Sequence, residues 1–341
     1  MRDAKTQGSK DSRIEDSRIL RFAMRDSRSG IRDSSLVTRP APVAVRVFSH
    51  LLRWMPVGRY RLIHESRRVA LAPFVAHLSS ELGGLAFHCD PRDSVAREVC
   101  YTGVYEPQET QLASRLLRAG DVFADVGANW GYFTLAASRR VGPTGRVLAF
   151  EPEPRLFDLL RHNLSLNGLD FVDVRRVAIA DRRTSLPFTA FVAGGDNWGL
   201  SRATVSGEKA DFHVETAALD DVLDESQIAR VRLTKIDVEG GELAVLAGMR
   251  RGLHADRYLY VMLECHPALL AARGHNEEDV LRPLIDAGYR LWTIRHSPQL
   301  HRRAARTHLG VRDLLRPYVR GSFAHEWPHL LACAPGAPDL S

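Results

Sequence analysis

The chain has 341 residues, 45% hydrophobic and 26% charged, with a formal net charge of +6; this is enough to bury one large α/β core plus extensions, and no apolar run is long enough for a transmembrane helix. Residues 1–60 hold 13 Lys+Arg against 6 Asp+Glu and the remainder 34 against 35, so the folded part carries no basic surplus and specific nucleic-acid binding is not expected. Cys89, Cys100, Cys265 and Cys333 have neither paired nor metal-ligand spacing and the N-terminus lacks an apolar secretory core, so reduced thiols in a cytoplasmic protein are expected.

Up to about Thr38 the chain repeats Asp-Ser-Arg, starting at Asp11, Asp16 and Asp26. So polar a segment cannot bury enough apolar area to offset chain entropy, and residues 1–38 are expected to be a disordered basic tail. Residues 39–105 are expected to form a helical extension and a small subdomain, and residues 106–335 the main domain. From Val43 to Met55 apolar residues recur at helical spacing, edged by Arg46, Arg53, Arg59 and Arg61. That pattern suits a helix packed on the domain, or peripheral contact with an anionic membrane through residues 43–61. Leu85 to Cys89 reads as a strand, and no motif between residues 60 and 105 carries chemistry.

The stretch Asp121-Val-Phe-Ala-Asp125-Val-Gly127-Ala-Asn129-Trp-Gly131-Tyr-Phe-Thr134 runs a buried strand into a glycine turn and then a helix. Gly127 permits backbone angles closed to other residues where the strand ends, and Gly131 lets the next helix lie close. The spacing is not the Gly-x-Gly-x-x-Gly of a dinucleotide fold, so a cofactor without a pyrophosphate fits better. A second strand, Gly145 to Phe150, ends in Glu151, an acid placed to accept both hydroxyls of a ribose. Pro152 and Pro154 then restart the chain as a helix with Leu156, Leu159, Leu160 and Leu164 on one face.

Downstream, the apolar strand Val231 to Ile236 ends in Asp237, Glu239 and Glu242 around Gly240 and Gly241, and a fourth strand from Tyr258 ends in Glu264-Cys265-His266-Pro267. In an open α/β sheet these strand ends form the edge where ligands bind.

Taken together, Asp-Val-Gly-Ala-Asn-x-Gly at 125–131, Phe-Glu-Pro at 150–152, Asn163-Leu-x-Leu-Asn167, Lys-Ile-Asp-Val-Glu-Gly at 235–240 and Glu-Cys-His-Pro at 264–267 resemble the FkbM family of S-adenosylmethionine-dependent methyltransferases. The ordered match runs from about Glu106 to Arg295, with Gly241 where an alanine is common. The resemblance implies a Rossmann-like class I methyltransferase fold, a seven-stranded, mostly parallel sheet with helices on both faces. It also implies O-methylation of a hydroxyl on a sugar, a glycolipid or polysaccharide, or a polyketide-type acceptor, with S-adenosyl-L-methionine as cofactor.

On this reading Asp125, Gly127, Asn129, Gly131 and Glu151 hold the cofactor, and Asp181, after a third strand, reads the adenine amino group. Trp130 is placed by position in the cofactor wall. Alignment supplies most of the help to methyl transfer, and a positioned base adds 10²- to 10⁴-fold. Asp237 is the first candidate for base or acceptor-orienting group and Glu239 the second, with His266 a further candidate. Glu242 suits the accepting of amide hydrogen bonds at a helix start. Residues 194–201, with Trp198 among polar residues, suit a sugar face. Asp220 and Asp221 lack an oxygen-ligand pattern, and no metal is expected. An NAD-dependent oxidoreductase and a non-catalytic cofactor-binding interaction protein remain as alternatives.

Overall fold

A computed structural model describes residues 36, 38–55, 58–69, 71–189, 197–204, 208–321 and 328–340. All but two residues of the expected N-terminal tail lie outside these. In chain order the elements are α1 (Val43–Trp54), α2 (Arg59–Glu65), β1 (Phe74–His77), β2 (Ala86–Cys89), α3 (Ser94–Thr102), α4 (Pro107–Leu116), β3 (Val122–Val126), α5 (Tyr132–Val141), β4 (Arg146–Phe150), α6 (Pro154–Ser165), β5 (Val172–Arg175), β6 (Ala178–Ile179), β7 (Ser185–Thr189), β8 (Arg202–Ala203) and β9 (Phe212–Ala217). There follow α7 (Leu219–Glu225), β10 (Val231–Ile236), α8 (Glu242–Gly248), α9 (Arg250–His254), β11 (Tyr258–Glu264), α10 (Pro267–Ala272), α11 (Glu277–Asp286), β12 (Arg290–Ile294), α12 (Pro298–Ala304), α13 (Val311–Leu314), β13 (Leu315–Pro317) and β14 (His329–Cys333).

The main sheet runs β5-β4-β3-β10-β11-β14-β12-β13. From β5 to β11 all neighbours are parallel, which is why Phe123, Ala124 and Val126 of β3 are apolar and buried. β14 enters antiparallel between β11 and β12. This is the class I methyltransferase sheet with one addition to the expected seven strands: the three-residue β13 pairs antiparallel with the outer edge of β12 and covers backbone groups otherwise left open there. β6, β9, β7 and β8 form a separate four-stranded sheet.

The N-terminal hairpin β1–β2 is fastened to α6 by two asparagines. Asn167 accepts from the Ala86 amide at 2.8 Å and donates to the Ala86 carbonyl at 2.7 Å, and Asn163 accepts from the His88 amide at 2.6 Å. α3 packs beside the hairpin with Asp93 as its N-cap. This packing corrects the expectation of four reduced thiols: Cys89 at the end of β2 and Cys100 on α3 form a disulfide with Cα atoms 5.9 Å apart. Their separation of 11 residues is closed by the strand-to-helix turn, a tertiary event with no local motif.

α1 lies against α3, where Phe48 meets Tyr101 edge to face at 5.3 Å. Its other side exposes Val43, Val47 and Leu51, by 65%, 54% and 58%, at a spacing of four that makes one stripe. Among the described residues no helix is long and apolar enough to cross a membrane.

Candidate functional site

The turns after β3, β4 and β10, with Glu264 at the end of β11, line one cavity of about 340 Å³. Gly127 sits at φ +86, and a Cβ on it would lie 1.8 Å from the Asp237 carbonyl oxygen, so the backbones after β3 and β10 touch and only glycine fits. The Gly127 and Ala128 amides both donate to the Phe150 carbonyl at 3.0 Å. Asn129, at φ +52, donates its amide to Glu151 Oε2 at 2.7 Å, and its own side-chain oxygen is buried without a partner. Glu151 Oε1 accepts the Glu153 amide at 2.9 Å. Burial pushes the Glu151 carboxyl up to about 8, against the lowering effect of those two amides.

Gly127, Asn129 and Glu151 therefore lie in the cavity wall, while Asp125 and Gly131 shape it from behind. Asp125 is 1% exposed and accepts the Thr134 hydroxyl at 2.6 Å, tying β3 to α5; burial raises it to about 6. At Gly131, φ +83, a Cβ would meet Leu160 Cδ1 at 2.3 Å, so this glycine lets α5 start against α6. Asp181 stands outside the wall. Its side chain is 45% exposed and faces Arg182 at 3.0 Å, and the wall beside it is made by Val177, Ala178, Ile179 and Ala180. Trp130 is also absent from the wall: it is 1% exposed and stacks on Trp198 at 5.4 Å. Of the loop expected to meet a sugar, Asn197, Gly199 and Ser201 line the cavity, whereas residues 194–196 lie outside the described residues.

On the β10–β11 side the cavity is crowded with carboxylates and imidazoles. Lys235 Nζ lies 2.7 Å from Asp237 Oδ2. Burial would raise the Asp237 carboxyl, but Lys235 holds it below the ordinary range. Burial would likewise lower the Lys235 ammonium, yet Asp237 and the surrounding acids raise it. Asp237 is thus a fixed, engaged anion.

Glu239 has a left-handed backbone, φ +50, of the kind a non-glycine residue adopts only where its surroundings enforce it. Its Oε2 lies 3.2 Å from His266 Nε2, and His266 Nδ1 lies 3.2 Å from Glu242 Oε1. Glu242 is fully buried and also accepts the Gly240 amide at 2.9 Å, as its place at the helix start implied. Burial raises Glu239 to about 7 although His266 opposes it. Burial would lower His266, but Glu242 and Glu239 raise it to about 9.

The N- and C-terminal segments add wall residues that no local motif announced: Tyr105, Glu106, His296, His301 and His329. Behind them Glu109, fully buried, receives His296 Nε2 at 2.7 Å and His329 Nδ1 at 3.0 Å. Glu109, His296 and His329 form one set whose ligand-type atoms lie within 4.8 Å of one another, and Asp237, Glu239 and His266 form another. Glu109 holds both histidines of the first set, whereas in the second His266 pairs with Glu239 and Asp237 is held by Lys235 from outside the set. Asp220 is bound structurally, to the Arg251 amide at 2.8 Å and the Tyr258 hydroxyl at 2.8 Å.

A family profile described as the methyltransferase FkbM domain matches residues 121–291. Among curated proteins the chain is 32% identical over 161 residues to methyltransferase sdnD of Sordaria araneosa, covering 39% of this chain and 62% of that protein. It is 30% identical over 166 residues to 2-O-methyltransferase NoeI of Sinorhizobium fredii, covering 44% and 66%. The chain spans just under two thirds of the length of each. Among solved structures, methyltransferase FkbM of Methylobacillus flagellatus aligns over 80% of this chain and 57% of that one, with a TM-score of 0.40 and 14% identity.

Proposed function

Since the chain belongs to the FkbM methyltransferase family, we propose that it is an S-adenosylmethionine-dependent O-methyltransferase acting on a hydroxyl of a sugar or similarly polyhydroxylated acceptor. The observation that carries the reading is the Glu242–His266–Glu239 chain at one side of a cavity whose other side holds Glu151. The residues fit the cofactor. Glu151 keeps a free lone pair on each oxygen for a ribose diol, Asn129 Oδ1 is a buried acceptor without a donor, and Phe150, Leu156, Ile179 and Leu186 give an apolar slot of adequate size. When bound, S-adenosylmethionine supplies an electrophilic methyl group on a sulfonium.

The chain's own residues orient the acceptor and take its proton. Glu151 directly follows β4, the touching turns follow β3 and β10, and Glu264 and His266 stand at and just past the end of β11, so the acceptor lies on the β10–β11 side. Asp237 is neutralised by Lys235, which leaves it to orient a hydroxyl. Glu239, poised near neutrality, is the base, and His266, fixed by Glu242, stabilises its carboxylate form. This reverses the order expected from sequence, where Asp237 came first. Asp181 has no part in it. The names of NoeI, a 2-O-methyltransferase, and of AglP, a hexuronic acid methyltransferase from Haloferax volcanii, support a carbohydrate acceptor, and that of NoeI methylation at oxygen.

The test is transfer of labelled methyl from S-adenosylmethionine to a panel of neutral and acidic glycosides and of amines. Label appearing on a glycoside oxygen, and lost in Glu239→Gln, supports the reading. Label that appears only on nitrogen acceptors, or that is unaffected in Glu239→Gln, refutes it.

A further inference from the structure

A second, larger cavity of about 630 Å³ lies away from the first, where α2, α4 and the end of α12 come together, and Arg59, Ser79, Arg115 and Arg140 are in its wall. Arg59 is only 4% exposed. Its Nη2 donates to the Tyr60 hydroxyl at 2.7 Å, the guanidinium lies over that ring at 4.7 Å, and Nε is buried without an acceptor. Among the described residues no carboxylate forms an ion pair with Arg59, Arg115 or Arg140. The last two sit at the exposed rim and use one nitrogen each on a backbone carbonyl, of Leu309 and Leu117 respectively. The Ser79 hydroxyl is buried in the same wall without a partner. The one acid in the wall, Glu81, faces His308 at 3.7 Å.

A guanidinium taken out of water without a counter-charge is costly. A cavity that holds one at its floor, an unused hydroxyl beside it and two more guanidiniums at its rim is complementary to a multivalent oxyanion, whose oxygens accept charge-assisted hydrogen bonds from planar N–H forks. We infer that this cavity is a binding site for a phosphate group, with Arg59 as its floor, Ser79 as a hydroxyl donor and Arg115 and Arg140 as its rim. The phosphate is that of a free ion, a phosphorylated metabolite or a lipid headgroup. The inference is independent of the methyl-transfer reading, since no residue of the first cavity takes part.

The experiment is calorimetric titration of the full chain with inorganic phosphate and pyrophosphate, alongside sedimentation with vesicles of phosphatidylcholine alone or with phosphatidic acid. Saturable binding of a free anion assigns a soluble ligand, and retention only by phosphatidic-acid vesicles assigns a headgroup. Either binding should weaken about tenfold in Arg59→Gln, the loss of one or two charged hydrogen bonds. The paired rim substitution Arg115→Gln with Arg140→Gln should weaken it too, and this variant decides the matter if Arg59→Gln does not fold. S-adenosylhomocysteine binding should be unchanged in the rim variant. Absence of binding to phosphate, pyrophosphate and both vesicle types, or wild-type affinity in the rim variant, overturns the inference.

Discussion

His266 Nε2 stands 3.2 Å from Glu239 Oε2 while its other nitrogen stands 3.2 Å from the fully buried Glu242. His266 Nε2 also lies 3.6 Å from Glu264 Oε1, so the imidazole has one side fixed on Glu242 and the other facing two cavity acids, and that gives the site a pH dependence with a defined sign. Burial raises Glu239 to about 7, so the carboxylate that accepts a proton is present above that pH and lost below it. His266, raised to about 9 by its acids against the effect of burial, keeps its positive charge below that pH and loses it above. The rate should rise through about 7 and fall near 9, and both limbs belong to the pair. Glu239→Gln should remove the lower limb and reduce kcat by 10²- to 10⁴-fold. His266→Asn should remove the upper one. An unchanged profile in Glu239→Gln would assign the base elsewhere.

Gly127→Ala should destroy cofactor binding and cost about 3–5 kcal/mol of stability, since the new Cβ would meet the Asp237 carbonyl in a backbone conformation unsuited to alanine. Urea unfolding and a titration with S-adenosylhomocysteine measure the two effects. A variant with wild-type stability would mean that β3 and β10 do not approach as described.

The strand tips and glycine turns on the β3, β4 and β10 side were legible in the sequence because each is local: an apolar run, a glycine where the backbone turns, and an acid at the tip. The other half of the cavity was not. Glu109 meets His296 across 187 residues of chain, and nothing near either residue signals the meeting. Glu106 and Tyr105 come from a segment that carried no motif. Trp130, adjacent to the glycine turn, packs against Phe87, His88 and Trp198 instead of facing the cavity, and those partners come from segments distant in sequence. Asp181 follows a strand as expected, but its side chain leaves the cavity for solvent and Arg182.

Asn167→Ala should cost about 1–3 kcal/mol, because the side chain makes both hydrogen bonds to Ala86 and a third to the Asn163 carbonyl at 2.8 Å. Hydrogen exchange at β1 and β2 should rise more than at β3. Equal exchange in both places would mean that the hairpin is held by other contacts.

Lys235→Met leaves the partly buried Asp237 without its ion-pair partner and should cost about 1–3 kcal/mol. Asp237 is held below its ordinary value in the folded protein, so its contribution is complete above about pH 4 and fades as acid is added below that. In the variant that acid-side loss should shrink, as measured by thermal unfolding between pH 3 and pH 7. A loss of undiminished size would mean that the Lys235 pair does not govern acid stability.

The central claim is that the cavity beside Glu151 takes the adenosyl group of S-adenosylmethionine. Calorimetric titration of the full chain with S-adenosylhomocysteine, with NAD in parallel and Glu151→Ala as the control, addresses it most directly. Micromolar binding of S-adenosylhomocysteine that is lost in Glu151→Ala, with weaker or no binding of NAD, is the expected result. No binding of S-adenosylhomocysteine, or tighter binding of NAD, would contradict the claim.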